Sequence, residues 1–293
     1  MGIKLNLGSS PIWHKEGWHV LDHKLDRTEG YKIAGDATAM DLPDNSCDIV
    51  FCSHVFEHIP HIKLPLVLSE INRILGKGGV LRLLTPDLHK IAKAYIDKDE
   101  EFFRIAKEED PSIRTDLGLG GMMMNFIVSP GQDTILVDRN VSDFIAGYAH
   151  LYSYDFNMLS IMLDKLGFGS ILQKEFCDSK IKELSEPLHV DSLPPVWKNM
   201  NVEFYKEHGL RHEMIDGIYH INFRVTGFDR DPLTSLIIEC EKQNFVNQEE
   251  AHKMFNQTQE NYNRYAYSLL RDDLVAGKLV EKFISKPHFP ANL

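Results

Sequence analysis

The hexapeptide Ser53-His54-Val55-Phe56-Glu57-His58 sets two imidazoles and a carboxylate at positions i, i+3 and i+4. On a helix these three side chains share one face. Three chemistries suit them. H-x-x-E-H is the spacing of inverted zinc proteases, but that motif needs a long helix, and Pro60 comes soon after His58. Glu57 and His58 also suit a polar pair hydrogen-bonded to backbone at a helix start. His54 suits a general base or an acceptor-orienting group, because an unperturbed imidazole titrates near neutral pH.

A second group lies near the start of the chain, in Lys4-Leu5-Asn6-Leu7-Gly8-Ser9-Ser10-Pro11 and Gly17-Trp18-His19-Val20-Leu21-Asp22-His23. A short apolar strand running into glycine, then a second strand ending on an acid, is the opening of a nucleotide-binding α/β unit. Dinucleotide sites place a pyrophosphate on G-x-G-x-x-G and the following helix N-terminus. Here only Gly8 is present, and 14 residues separate it from Asp22, where the dinucleotide fingerprint has about 20. Pro11 and Gly17 exclude a long intervening helix. The loop therefore disfavours a nicotinamide cofactor and suits an adenosyl ligand without phosphate. S-adenosylmethionine needs a glycine where backbone approaches it, a carboxylate for the ribose hydroxyls and a polar anchor for the adenine amine. Gly8, Asp22 and Asp36 match these needs in order, with Asn6, Ser9, His23, Ala37 and Ser53 beside them as further cofactor contacts. Taken singly, each aspartate also reads as a turn or cap residue.

These groups need a scaffold that brings strand ends together. The first half alternates short apolar strands with helical patterns, as in a mostly parallel sheet. Candidate strands are Lys4–Leu7, Trp18–Leu21, Tyr31–Ala34, Asp48–Cys52 and Val80–Leu84. Ile62–Leu75 carries Leu64, Val67, Leu68, Ile71 and Leu75 at helical spacing, and Gly76-Lys77-Gly78-Gly79 reads as its cap and a tight turn. A helix runs from after Thr85-Pro86-Asp87 to about Tyr95. Residues 96–147 read as an irregular insertion holding an acidic stretch and Gly118-Leu119-Gly120-Gly121-Met122-Met123-Met124, either a lid or a flexible core filler. Ser153–Leu166 is helical, with a strand at about Ile171–Phe176. Residues 178–233 form a second insertion, and Leu236–Cys240 reads as a final buried strand. The tail from Gln248 to Leu274 reads as one long helix that packs on its own domain, with dimerisation through it as the alternative. The expected organisation is a domain over 1–242 with a helical extension over 243–293.

The chain has 293 residues, enough for a large core, and a net charge of −11. That charge argues against a broad nucleic-acid surface. Cys47, Cys52, Cys177 and Cys240 show no paired spacing and read as thiols of a reducing compartment. No apolar run is long enough to span a bilayer, no signal peptide is legible, and Asn6 breaks the myristoylation pattern begun by Met1-Gly2. The expected location is cytoplasmic.

The ordered series KLNLGSS, GWHVLDH, GDATAMDLPDNSCDIVFCSHVFEHI, EINRILGKGGVLRLLTPDL and AHLYSYDFNMLSIMLDKLGF, with DRDPLTSLIIECEK near the end, resembles the class I S-adenosylmethionine-dependent methyltransferases. It is similar above all to a compact branch with a shortened first loop. The resemblance implies a Rossmann-like, doubly wound, mostly parallel seven-stranded sheet with a final antiparallel strand, plus helical insertions and a C-terminal helix. It implies S-adenosyl-L-methionine as cofactor and methyl transfer to an O or N acceptor on a small molecule or a sugar or glycan precursor. Related O-methyltransferases carry E-x-x-E-H at the place of His54–His58 and a later histidine that completes a divalent-metal site. By that resemblance His54, Glu57, His58 and His150 form a metal set; by their imidazole chemistry His54 and then His150 are the candidate catalytic bases. Asn6 stands where many relatives carry an acid, and Ser9-Ser10 where they carry Cys-Gly or a second glycine. A non-catalytic S-adenosyl-binding protein is therefore the alternative, with a metal-dependent hydrolase using H-x-x-E-H as a third reading.

Overall fold

The computed structural model describes residues 2–9, 13–100, 102–103, 117–128, 150–175, 177–185, 188, 234–254 and a few positions up to 265, with backbone alone at 212–215 and 218–221. Seven strands form one sheet. β1 (Ile3–Leu7), β2 (Trp18–Asp22), β3 (Lys32–Ala34), β4 (Cys47–Ser53), β5 (Leu75–Pro86), β6 (Phe168–Gln173) and β9 (Ser235–Lys242) lie in the order β3-β2-β1-β4-β5-β9-β6. Strands β3 through β5 are mutually parallel, and β9 runs antiparallel to both β5 and β6. This is the doubly wound arrangement expected from the resemblance. A separate hairpin joins β7 (His212–Ile215) to β8 (Ile218–Ile221) inside the second insertion.

Four described helices, besides a helical stretch near the C-terminus, accompany the sheet. α1 (Leu64–Ile74) starts at a proline in its first turn and buries Leu64, Val67, Leu68, Ile71 and Ile74, the i, i+3, i+4, i+7 stripe visible in the sequence. α2 (Leu88–Asp97) is capped by Asp87, whose Oδ1 accepts the His89 and Lys90 N–H groups. α3 (Gly118–Ile127) contains the Met run. α4 (Phe156–Lys165) is capped by Asp155 and ends before Gly167, which holds φ +82° with no room for a Cβ beside the Asn244 carbonyl.

One face of the sheet packs Leu5, Leu7, Val50 and Cys52 against the apolar sides of α1 and α4. Asn72 of α1 ties this layer to the end of the fold: its Nδ2 donates to the Leu166 and Asn244 carbonyls. The opposite face carries Trp18, Val20, Ile49 and Phe51, and the described residues between β1 and β2 form no helix that would cover it. Trp13 fills part of that space edge-on to Trp18, and Leu184 and Leu188 of the second insertion fill more. Arg82 pins the same segment through the Glu175 and Asp178 carbonyls and pairs with Glu239. The shortened first loop has thus moved a covering task from a local helix to a distant insertion.

Two local expectations differ. The Met run lies in a helix rather than an irregular segment, because packing of Met122, Met123 and Phe126 against Ile91 and Ala94 of α2 overrides the helix cost of its glycines. Gly76–Gly79 lies within β5 rather than in a separate turn: Leu75 pairs with Cys47, and the register slips before Val80 pairs with Ile49. The C-terminal segment is helical at 248–254, where Ala251 is buried in the main core. Phe255, Thr258, Tyr262 and the chain beyond 265 lie outside the described residues. Cys47, Cys52 and Cys240 are buried and none of the cysteines is in a disulfide. No described helix is long and apolar enough to cross a membrane.

Candidate functional site

Parallel α/β sheets bind ligands beyond the carboxyl ends of their strands, where the strand order reverses. Here the reversal falls between β1 and β4. Leu7 pairs with Cys52, so the chain leaves β1 at Gly8 beside Ser53, the last residue of β4. Gly8 holds φ +69°, and a Cβ on it would lie 2.5 Å from Val55 Cγ2. The first loop is therefore pressed onto the start of the histidine segment, with the Gly8 N–H donated to the Leu21 carbonyl at 2.8 Å.

Around this point are buried polar atoms that the protein leaves unpaired. Asn6 Oδ1 and Nδ2, Ser9 Oγ and Ser53 Oγ have no hydrogen-bond partner among the described residues. Each buried, unmade bond costs about 1–3 kcal/mol, so such atoms call for a partner from water or from a bound molecule. Asp22, at the end of β2, is buried, and its Oδ1 is oriented by the Lys24 N–H at 2.8 Å. His23 is largely exposed with Nδ1 3.7 Å from Asp22. Asp36 lies just past β3 and turns its Oδ1 back onto the Thr38 N–H and hydroxyl, both at 2.7 Å. Burial would raise its carboxyl, but the two Thr38 bonds, then Lys63 and His23, hold it below the ordinary range. Ala37 packs against the main core. The structure thus brings Asn6, Gly8, Ser9 and Ser53 together at the β1–β4 crevice, with Asp22 and Asp36 at the next two strand ends.

The histidine segment does not form the long helix its spacing allows. Phe56–His58 is a single 3-10 turn, Pro60 divides it from a second such turn at His61–Lys63, and His54 holds φ +53°. A left-handed backbone at a non-glycine residue costs on the order of 1–3 kcal/mol. The first turn is anchored from both sides: the His54 N–H donates to Leu84, and the Glu57 carbonyl accepts from Leu151 at 2.6 Å. Glu57 is fully buried. Its Oε1 accepts from His54 Nδ1 at 2.9 Å and its Oε2 from Thr85 Oγ1 at 3.2 Å. Burial alone would raise the carboxyl; the charge and hydrogen bond of His54, then His58 and His150, outweigh it and hold Glu57 below the usual glutamate range.

His150 arrives from before α4. Its ring stands 5.0 Å from that of His58, edge to face. His150 Nδ1 donates to the Phe126 carbonyl at 3.0 Å, which leaves Nε2 as the ligating nitrogen of the neutral ring. One ligand atom each from Glu57, His58 and His150 lies within 4.8 Å of the others. Two imidazoles and a carboxylate form a donor set for a borderline divalent metal such as zinc, and the carbonyl behind His150 is the support that such ligands carry. His54 stands outside this cluster, behind Glu57. Its Nε2 is engaged by Ser235 Oγ at 2.9 Å. Ser235 and Thr85 are contacts that sequence reading missed: a lone serine or threonine at a strand end carries no signal of its own.

Residues 19–83 match the family model of a methyltransferase domain. A stretch of 40 residues is 48% identical to the protein of Aspergillus luteorubrus named "Probable methyltransferase ltbC", covering 13% of this chain and 14% of that one. Among solved structures, the chain is similar to an S-adenosylmethionine-dependent methyltransferase from Mesorhizobium loti, at 14% identity and a TM-score of 0.39 over 82% of this chain and 91% of that one. It is similar also to such a protein from Archaeoglobus fulgidus, at 16% identity and a TM-score of 0.37 over 82% and 87%. The match to a methyltransferase domain thus falls on the stretch that runs from β2 through β5, the parallel half of a doubly wound, Rossmann-like sheet.

Proposed function

We propose that the protein transfers the methyl group of S-adenosyl-L-methionine to an O or N acceptor on a small molecule or a sugar or glycan precursor. The observation that carries this reading is the set of buried, partnerless polar atoms of Asn6, Ser9 and Ser53 around the Gly8 turn. Bound S-adenosylmethionine supplies a methyl carbon on a sulfonium that is already a good leaving group. The protein's part is alignment and exclusion of water, and alignment alone is worth about 7–11 kcal/mol in favourable cases. Gly8 lets backbone approach the ligand, Asp22 takes the ribose hydroxyls, and Asp36 with Ala37 faces the adenine. Asn6, Ser9 and Ser53 regain partners on the ligand's polar groups.

A divalent metal at Glu57, His58 and His150 is a second element of the reading, supported by the closeness of the three ligand atoms. When bound it would lower the pKa of an acceptor hydroxyl. Glu57 and His150 are buried and held by Thr85 and Phe126, so both are oriented before any ligand arrives.

The test is calorimetry and thermal denaturation with S-adenosylhomocysteine, and then an acceptor screen that reads its release from S-adenosylmethionine. Ligand at 100 times its Kd adds about 2.7 kcal/mol of stability. An unchanged melting curve together with no heat of binding would overturn the assignment. Binding without release across acceptors would favour a non-catalytic role.

A further inference from the structure

Three side chains from two distant parts of the chain form a line behind the Glu57–His58–His150 cluster. Ser235 Oγ lies 2.9 Å from His54 Nε2, and His54 Nδ1 lies 2.9 Å from Glu57 Oε1. Serine, histidine and carboxylate in this order are the parts of an acyl-transfer triad. That chemistry does not suit this site, because Ser235 is 1% exposed and His54 8%, so no substrate carbonyl reaches the hydroxyl.

The same geometry does a different job. An ionised carboxylate only accepts, so His54 Nδ1 carries the proton it shares with Glu57. Nε2 then faces the Ser235 hydroxyl, which can donate to a neutral ring or accept from a protonated one. The hydroxyl therefore holds the ring in the orientation that presents Nδ1 to Glu57. Every member is fixed by backbone. The His54 N–H donates to Leu84, Ser235 pairs with Pro86 across the β5–β9 ladder, and Lys90 Nζ donates to the Ser235 carbonyl at 2.7 Å. His54 also holds φ +53°, which glycine or asparagine takes with less strain. A site that needed only the backbone turn would suit either of those residues better than an imidazole.

We propose that Ser235 and His54 are a positioning pair that fixes the Glu57 carboxylate as a ligand for a divalent metal shared with His58 and His150. This role rests on the metal reading of the Glu57–His58–His150 cluster and gives His54 a supporting place rather than a ligating one. Supporting contacts of this kind typically change metal affinity by about 10–100-fold.

The experiment uses the full chain without a His-tag and cobalt(II) as the probe, read by titration calorimetry and by the visible absorption band of bound cobalt. Ser235→Ala is expected to weaken cobalt binding about 10–100-fold and to alter the band, while Ser235→Thr, which keeps the hydroxyl, restores both. His54→Gly, which takes the positive φ without strain, is expected to show the same loss. His54→Asn keeps an N–H donor near Glu57 and should recover part of it. Parent affinity and an unchanged band in both Ser235→Ala and His54→Gly, with binding still lost in His58→Ala, would overturn the positioning role and leave the metal site standing. A parent protein that takes up no cobalt would overturn the metal reading itself, and the pair's role with it.

Discussion

Gly8 and Val55 meet across the gap between β1 and β4, so closely that a Cβ on Gly8 would fall 2.5 Å from Val55 Cγ2 and 3.3 Å from Cγ1. The contact joins the two halves of the candidate site: the shortened first loop and the turn that carries His54 and Glu57. Gly8→Ala meets two penalties, the positive φ at about 1–2 kcal/mol and overpacking at about 1–3 kcal/mol. Val55→Ala in the same chain removes the second and not the first. The double variant should therefore be less unstable than the sum of the single variants. Urea denaturation of the four proteins checks this, and strict additivity would mean that Val55 yields without cost.

Asp22 is the carboxylate assigned to the ribose. Asp22→Asn keeps the shape and removes the charge, and hydrogen bonds to charged groups are worth about 1.5–3 kcal/mol. Affinity for S-adenosylhomocysteine should fall roughly 10- to 150-fold, with NAD unbound by either protein. Calorimetry reads both numbers, and an affinity equal to the parent's would move the ribose elsewhere.

The cluster of Glu57, His58 and His150 predicts stabilisation by zinc(II) in a thermal melt. His58→Ala should abolish that shift while leaving the shift from S-adenosylhomocysteine in place, since the two sites use different side chains. Loss of both shifts together would mean that His58 supports the turn rather than an ion.

Glu70 of α1 supplies a pH dependence distinct from the site. Its side chain is buried, with Oε1 and Oε2 accepting from Arg73 and Oε2 also from the Met40 N–H at 2.9 Å, and Gln248 Nε2 beside it. Burial would raise this carboxyl, but Arg73, then the Met40 N–H, hold it below the usual range. A depressed folded-state pKa adds stability that is present above the unfolded value of about 4.3 and lost as pH falls from there toward the folded value. Glu70→Gln should cost about 1.5–3 kcal/mol at pH 7 and progressively less than that below about pH 4. Urea midpoints for both proteins at pH 7, 5 and 3.5 test the convergence.

The helical Met run shows where sequence reading stops. Gly118, Gly120 and Gly121 each weaken a helix by about 1 kcal/mol, so the stretch reads as irregular. What overrides them is an apolar surface on α2, made of Ile91 and Ala94, that no local pattern announces.

Strands β1 to β5 and β9, with α1 and α2, were legible in short-range pattern alone, because periodicity and caps are local properties of the chain, whereas the β7–β8 hairpin was not. Which imidazoles would meet Glu57 was not local. His54 and His58 both lie within three residues of it in sequence, yet the positive φ of His54 turns that ring onto Ser235, 181 residues away, while His150 comes from another loop to stand against His58. The direction of a side chain leaving a strand end is set by what packs on it from elsewhere, and only the assembled sheet supplies that.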